Sequence, residues 1–428
     1  MTVQITPSIL KGTVTAIPSK SELHRALICA SFCEDPTDII VPGSAYAYVD
    51  IIPDDIKATV SCLCALGAEI SFVPNMFHVR PLSSRAYRPE MDCRESASTL
   101  RFMLPVAAAS SLNASFTGGE HLSERPISDL LISLEEHGVT SSAKGLPLEL
   151  SGNLSDGRFY ISGDVTSQYL SGLLLTLPLL DSGSDIVLST ELRSSSYIDI
   201  TVDIMSKFGV NVIRDGDRYY LSGPIRYRSP GTVTIGGDWS NASAFLVAGL
   251  LNGCNSVTVK NLEVSSPQGD KNIIHILESF GAHLKTSSGG ILSEGARLHG
   301  AAIDIDSNPD LMPSLAVAAM AADGNTEFVN AERQRYKESD RIISIERMVC
   351  SLNCQARSSP DSLVISGGSD IRGGTIDSFG DHRIVMAAAI ASCLTDTPVT
   401  VTNAESVSKS YPTFFDDFRS IGGIVNVI

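Results

Sequence analysis

The sequence predicts an α/β protein built from six copies of a β-α-β-α-β-β-like unit, grouped as two compact domains of three units each. Three observations carry that prediction. First, a helix, a turn and a short strand recur in DDIKATVSCLCALGAEI, PISDLLISLEEHGVTS, YIDITVDIMSKFGVNV, GDKNIIHILESFGAHL, SDRIISIERMVCSLNCQA and FFDDFRSIGGIVNV. Their turn residues, Gly67, Gly138, Gly209, Gly281, Asn353 and Gly422, are separated by 71, 71, 72, 72 and 69 residues. Second, another set of helices opens near Ser21, Ser96, Thr166, Ser240, Asp310 and Asp381, at intervals of 75, 70, 74, 70 and 71 residues. Third, short β-rich pieces such as VTVKNL and PVTVTNA lie between the helices.

Each element has a local reason. Helices of the first set carry apolar residues at helical spacing and then Gly or Asn, where a left-handed C-cap is wanted. An acidic residue often opens them, as at Asp54, Asp129 and Asp270, where it can satisfy free amides. Helices of the second set have small apolar bodies, as in SQYLSGLLLTLPL, NASAFLVAGLL and HRIVMAAAIASCL, suited to burial on most sides. The divide between the two domains is expected in SPGTVTIGGDW, residues 229–239, where proline and glycines fit a crossing better than a core element.

Composition narrows the function. Among 428 residues, 48 are acidic and 32 basic, a formal net charge of −16, and no dense Lys/Arg stretch occurs. That disfavours nucleic acid as a partner, because a phosphate backbone requires a basic surface. Hydrophobic residues at 43% and charged residues at 19% fit a well-packed globular chain. The opening MTVQITPSILKG lacks the basic head and apolar core of a secretory signal, and Ile384 to Leu394 is about half of a membrane span. No membrane partner is expected. The nine cysteines, at 29, 33, 62, 64, 93, 254, 350, 354 and 393, form no C-x-x-C pair and fall mostly in apolar helical runs. They read as reduced and structural, which points to the cytoplasm, and neither they nor the eight histidines show zinc-ligand spacing.

The second set of helices begins with unusually polar segments: PSKSELHR, RESASTLR, DVTSQYL, GDWSNAS, NPDLMPS and FGDHR. Exposed amides at helix starts attract anions. Ordinary capping is the plain alternative, but Lys20, Arg25, Arg101 and Arg383 add basic side chains to these ends. Lys20 supplies a mobile point charge, and Arg25, one turn beyond Ser21, a fork for two oxygens. Arg125 precedes Pro126 at a helix entrance, and Thr166, Ser167 and Gln168 offer three uncharged polar groups. In RQRYKESDRI, helical geometry would put Lys337 and Arg341 on one face, with Glu338 and Arg341 at i,i+3. Asp381, His382 and Arg383 stand directly before an apolar helix, so their polar atoms require partners. Lys409 precedes Pro412 near the last helix, and Asp310 either caps its helix or acts as a base.

In order along the chain, PSKSELHRAL, RESASTLR, SERPISDL, GDVTSQYLSGLL, SSSYIDIT, YKESDR, GDHRIVMA and SKSYPTFF resemble the EPSP synthase family of enolpyruvyl transferases. The resemblance runs from residue 18 to residue 415. It implies a two-domain inside-out α/β barrel, with residues 1–18 and 237–428 in one domain, 19–236 in the other, and crossings near 14–20 and 232–238. It implies an active site in the interdomain cleft and transfer of the enolpyruvyl group of phosphoenolpyruvate to the 5-hydroxyl of shikimate 3-phosphate. That step belongs to chorismate and aromatic amino acid biosynthesis, and the family implies a monomer that needs no cofactor or metal. Carried over by motif, Lys20, Ser21, Arg25, Thr166, Ser167, Gln168, Ser194, Asp310 and Lys337 surround shikimate 3-phosphate. Lys20, Ala97, Arg125, Gln168, Arg341, Arg383 and Lys409 surround phosphoenolpyruvate, with Arg101 and His382 in support. Asp310 is implied as the base at the hydroxyl, Glu338 as the group moving the carbon-side proton, and Lys20 as the group that meets the departing phosphate. Two alternatives stand beside this reading. One is the related transferase acting on UDP-N-acetylglucosamine, whose reactive-cysteine motif has no counterpart at residues 112–121. The other is a non-catalytic binder of phosphorylated metabolites on the same scaffold.

The chain departs from the family pattern at Arg94 and Ala97, where glycines are usual, and at Arg333, where an Asn-like substrate contact is usual. The added Cβ of Ala97 would crowd a ligand longer than phosphoenolpyruvate, such as glyphosate. Ala97→Gly is therefore expected to strengthen inhibition by glyphosate in a steady-state assay, and unchanged inhibition rejects the steric explanation.

Overall fold

The computed structural model describes all residues except 43–50, 85, 112, 181–182, 223–225, 252–254 and 369. Cys254 and the first residue of the 112–121 stretch thus lie outside the described residues. The chain divides into two units: a discontinuous one, Met1–Ile17 with Gly237–Ile428, and a continuous one, Pro18–Gly236.

Each unit contains three four-stranded sheets. The sheet Glu90–Asp92, Asn113–Thr117, Leu148–Gly152, Val139–Ser141 shows the common pattern. Its first two strands run parallel, which requires a crossover helix, here Ala97–Ser110. The last two form an antiparallel hairpin after the helix Ser128–Glu135. The same order recurs in Arg158–Ile161, Asp185–Leu188, Arg218–Ser222, Asn211–Asp215 and in Ala302–Asp304, Asn325–Val329, Leu363–Ser366, Gln355–Ser358. The remaining sheets borrow a strand from far along the chain. Thr232–Thr234 pairs with Thr37–Ile40, Lys11–Thr15 with Ser256–Lys260, and Val3–Thr6 inserts between Val399–Thr402 and Ile424–Val427.

The expected barrel is corrected at this point. Every sheet is an open ribbon of four short strands with two free edges, and none closes on itself among the described residues. Four strands fall well short of the roughly eight that a filled barrel needs.

The six turn residues all take the left-handed conformation, with φ of 109°, 90°, 78°, 86°, 61° and 107° from Gly67 to Gly422. The period therefore marks one backbone event repeated six times, the helix stop that sends the chain into a hairpin five times and, after Gly422, into the strand that pairs with Val3–Thr6. The second set of helices forms the core: Lys20–Ser31, Ala97–Ser110, Ser167–Thr176, Trp239–Ala248, Met312–Ala321 and His382–Ala391 are buried along nearly their whole length. Five are preceded by a residue whose side chain caps them: Ser19, Ser96, Thr166, Asp238 and Asp381. Small residues let these helices approach closely. A Cβ on Gly172 would stand 2.5 Å from the carbonyl oxygen of Arg101, so Ser167–Thr176 rests directly on Ala97–Ser110. No helix among the described residues is long and apolar enough to cross a membrane.

The unusual Arg94 has a backbone explanation. It sits at φ 50°, in the left-handed region that favours glycine, with its side chain exposed. Its amide donates to Asp92 Oδ1 (2.8 Å) and its carbonyl accepts from Gly119 (2.7 Å), which fixes the turn leading to Ala97. Relief of this strain outweighs the added freedom of the unfolded chain. Arg94→Gly is expected to raise unfolding stability by about 0.5–1 kcal/mol, and Arg94→Val to lower it, as read from urea denaturation midpoints.

Candidate active site

In the discontinuous unit, three helix starts place the charged side chains. Asp340 caps Arg341–Ser351 by accepting from the Ile343 amide (3.2 Å), which puts Arg341 first in the helix with its side chain turned inward, 1% exposed. Asp381 caps His382–Ala391 through Oδ1 and the Arg383 amide (2.9 Å), leaving Oδ2 for Arg341 Nε (2.8 Å). Asp310 lies in the short Pro309–Leu311 turn, whose Pro309 carbonyl accepts from Gln334 Nε2 (2.6 Å).

These elements assemble one ionic cluster. Arg341 Nη1 donates to Asp310 Oδ1 at 2.7 Å and Nη2 to Glu338 Oε2 at 2.5 Å. Lys337 Nζ lies 3.3 Å from Asp310 Oδ1, Arg383 Nη2 lies 3.2 Å from Asp310 Oδ2, and Lys409 Nζ lies 3.8 Å from Glu338 Oε1. Four of the five Arg341 N–H groups are engaged among the described residues. Burial opposes the charge on Arg341, but Asp381, Glu338 and Asp310 outweigh it and hold the guanidinium above its usual range. Burial would likewise raise Asp310. Instead Arg383, Lys337 and Arg341 hold it well below the usual carboxylate range, so it stays ionised through neutral and mildly acidic pH.

The expected helical face shared by Lys337 and Arg341 is absent, because residues 337–340 precede the helix. The two cations meet through Asp310. Asp310 itself does not cap Met312–Ala321, which has no side-chain cap, so of its two expected roles capping is excluded. His382 is buried beside Asp381, its Nδ1 3.9 Å from Oδ1. Arg333 turns to Asp306, with Nη2 2.7 Å from Oδ1, and is occupied there.

In the continuous unit, Lys20 at the start of Lys20–Ser31 pairs with the buried Asp55 of Asp54–Leu66. The Asp55 carbonyl accepts from Thr99 Oγ1 (3.3 Å), and the same hydroxyl lies 2.8 Å from Ser96 Oγ, the cap of the helix that Ala97 opens. Arg25 donates to Thr201 Oγ1 (2.7 Å), the Ser21 carbonyl (2.7 Å), Ser171 Oγ (3.2 Å) and the Tyr197 carbonyl (3.2 Å). All four acceptors are neutral, so this buried cation is well held but not neutralised by them. Burial pulls it down to about 10, still protonated at neutral pH. Arg101 Nη1 donates to Gln168 Oε1 (2.7 Å), and its Nε and Nη2 hold the Pro126 carbonyl (3.3 and 2.9 Å). One arginine thereby fixes both Gln168 and the turn that carries the half-buried Arg125. Gln168 Nε2 donates in turn to Ser98 Oγ (2.9 Å). Thr166 caps Ser167–Thr176, Ser167 is its first residue, and Ser194, at φ 52°, precedes Ser196–Lys207.

Sequence reasoning passed over Asp55 and the pairing role of Asp381. Asp55 is the second acid of an opening Asp-Asp pair and reads as a helix-start charge. Asp381 showed as a polar residue at a buried boundary, but nothing in the chain said that Arg341, forty positions earlier, is its partner.

A repeat scaffold whose buried helix starts gather cations and carboxylates defines a protein that handles strongly anionic small molecules. Comparison with known proteins makes this specific. The family model described as EPSP synthase (3-phosphoshikimate 1-carboxyvinyltransferase) matches residues 5–418. A 3-phosphoshikimate 1-carboxyvinyltransferase of Clostridium kluyveri is 39% identical over 99% of this chain and 98% of its own length; one of Clostridium novyi is 36% identical over the same shares. An EPSP synthase structure from Acinetobacter baumannii superposes with a TM-score of 0.80 over 100% of both chains at 22% identity. The enolpyruvyl transferase NikO from Streptomyces tendae shares the fold, with a TM-score of 0.78 at 16% identity over 99% of this chain and 98% of that one. The chain belongs to the EPSP synthase family.

The ionic cluster generates a stability prediction. Asp381→Ala removes a helix cap and leaves the buried Arg341 short of a partner. It is expected to cost about 3–5 kcal/mol, measured as the change in unfolding free energy by urea titration.

Proposed function

We propose that the protein transfers the enolpyruvyl group of phosphoenolpyruvate to the 5-hydroxyl of shikimate 3-phosphate, releasing inorganic phosphate. Family membership along the whole chain supports the reaction. The single structural observation that supports the catalytic reading is Asp310, an ionised carboxylate with Lys337, Arg341 and Arg383 all within 3.3 Å.

The substrates bring a carboxylate and a phosphate each, and Arg forks suit both groups. Shikimate 3-phosphate is assigned to Lys20, Ser21, Arg25, Thr166, Ser167, Gln168, Ser194, Asp310 and Lys337. Phosphoenolpyruvate is assigned to Lys20, Ala97, Arg125, Gln168, Arg341, Arg383 and Lys409. In the addition step, Asp310 takes the proton of the 5-hydroxyl as its oxygen bonds to C2 of phosphoenolpyruvate, and Glu338, which must enter this step carrying a proton, gives it to C3. In the elimination step, the C3 methyl group loses a proton to Glu338 as the C2–O bond to phosphate breaks, Lys20 stabilises the leaving anion, and the proton held by Asp310 passes to the released phosphate or to solvent. A carboxylate is a weak base at neutral pH, so orientation and the field of the surrounding cations must supply much of the rate. Arg101 and His382 serve as supports. The finer reading is a cytoplasmic monomer of two three-unit domains, with Arg341, Arg383, Lys409 and both carboxylates in the discontinuous unit and Lys20 and Arg125 in the continuous one.

The test is a phosphate-release assay with each substrate alone and both together. Release only with both is expected, and Asp310→Asn is expected to lower kcat by about 10²–10³-fold. Release with UDP-N-acetylglucosamine in place of shikimate 3-phosphate would select the related transferase. Binding of both substrates without phosphate release would leave a binder.

A further inference from the structure

Asp270 has no part in the reaction assigned above. Its place at the opening of a helical repeat suggests a capping acid. The structure instead puts it in the short Gly269–Asn272 turn with its side chain buried, and the helix Ile273–Ser279 has no side-chain cap. Asp270 Oδ1 accepts from Asn308 Nδ2 at 3.3 Å, and Asn308 Oδ1 accepts from Asn272 Nδ2 at 3.1 Å. Asn308 is itself buried and immediately precedes the Pro309–Leu311 turn that carries Asp310. The Gly269–Asn272 turn is thus a bracket gripping the residue that starts the Asp310 turn. The bracket is anchored in turn. Gln268 Oε1 accepts from the Trp239 amide (3.1 Å) and its Nε2 donates to the Gly237 carbonyl (2.8 Å), at the start of Trp239–Ala248.

The charged groups that face Asp270 are Asp310 on the gripped turn and Arg383 on His382–Ala391, with Ser240 beside it at the start of Trp239–Ala248. On its own turn, Lys271 is turned to the Ser266 carbonyl (2.6 Å). Arg383 reaches towards the same corner, donating to the Ser240 carbonyl at 3.4 Å and to Asp310 Oδ2 at 3.2 Å. Two carboxylates therefore share the field of one arginine, the arrangement in which one acid is driven down and the other up. Asp310 is the one driven down. Burial, and then the charge of Asp310, push Asp270 up to about 6 against the pull of Arg383.

We infer that Asp270 is a positioning residue for the enolpyruvyl transfer: its buried carboxylate fixes the Asp310 turn through Asn308 and opposes the cations that crowd Asp310. This inference rests on the reading of Asp310 as the base. When Arg383 engages the anionic substrate, the negative charge behind Asp310 is what favours proton transfer to it. A folded-state value near 6 lies above that of an unfolded aspartate, so ionised Asp270 lowers stability above about pH 6, a cost absent below the unfolded value of about 3.9.

The experiment compares wild type with Asp270→Asn, which keeps an oxygen to accept from Asn308 and removes only the charge. The inference predicts that at pH 7.5 the variant melts higher than wild type while kcat falls about 10-fold and both KM values change less than about 3-fold. It predicts further that wild-type kcat declines on acidification through pH 6, whereas the variant is flat there. Wild-type kcat and an unchanged acid limb in Asp270→Asn, or a lower melting point with normal kcat, would overturn it. Should that variant fail to fold, Asn308→Ser breaks the grip and keeps the charge. It is then expected to lower kcat several-fold without moving the acid limb, and normal kcat would overturn the inference. Wild type that releases no phosphate from the two substrates would fault the assigned reaction, a separate outcome.

Discussion

A guanidinium buried among carboxylates is the constraint on which the discontinuous unit depends. Arg341 cannot sit in a dry interior without compensation, and compensation must come from three directions at once. Asp381 supplies it from one helix start, Asp310 from a short turn and Glu338 from the segment just before the arginine. Each carboxylate is placed by a backbone event, so satisfying the arginine also fixes the relative positions of those segments. Lys337, Arg383 and Lys409 then attach to the same acids. The shared acids thus hold four cations, which would otherwise repel one another, in one register.

The continuous unit solves a related problem differently. Lys20 has the buried Asp55, but Arg25 and Arg101 are held by hydroxyl, amide and carbonyl oxygens. Neutral acceptors fix a guanidinium's orientation and leave its charge to act on an anion. Arg25, buried and donating four hydrogen bonds to neutral oxygens, keeps its positive charge at neutral pH. Arg101 works one step back, coupling Gln168 to the carbonyl beside Arg125. The tight approach at Gly172 is what brings those two helix starts within reach of one side chain.

Much of this was legible in the chain. The six left-handed turns are set by local backbone chemistry, and a period in glycines translates directly into a period in helix stops. Polar residues ahead of small apolar helices announced the buried helix starts. Partner identity was less legible, because pairing is a tertiary property: Arg341 with Asp381, Lys20 with Asp55 and Arg333 with Asp306 join residues 27 to 40 positions apart. Asp270 was misread for a physical reason. An acid three residues before an apolar run has the pattern of a cap, whereas here the side chain is buried against its tertiary neighbour Asn308. Open sheets escaped sequence reasoning too, since strand patterns give local pairing and not whether the outermost edges meet.

The central claim is that Asp310 is a fully ionised carboxylate, held so by the cations around it. The direct measurement is a ¹³C NMR titration of side-chain carboxyls in the full chain, with the Asp310 signal assigned by its loss in Asp310→Asn. The account predicts that Asp310 remains ionised at pH values where an ordinary aspartate, near ~3.9, is half protonated. An Asp310 that gains its proton at or above that value would contradict it.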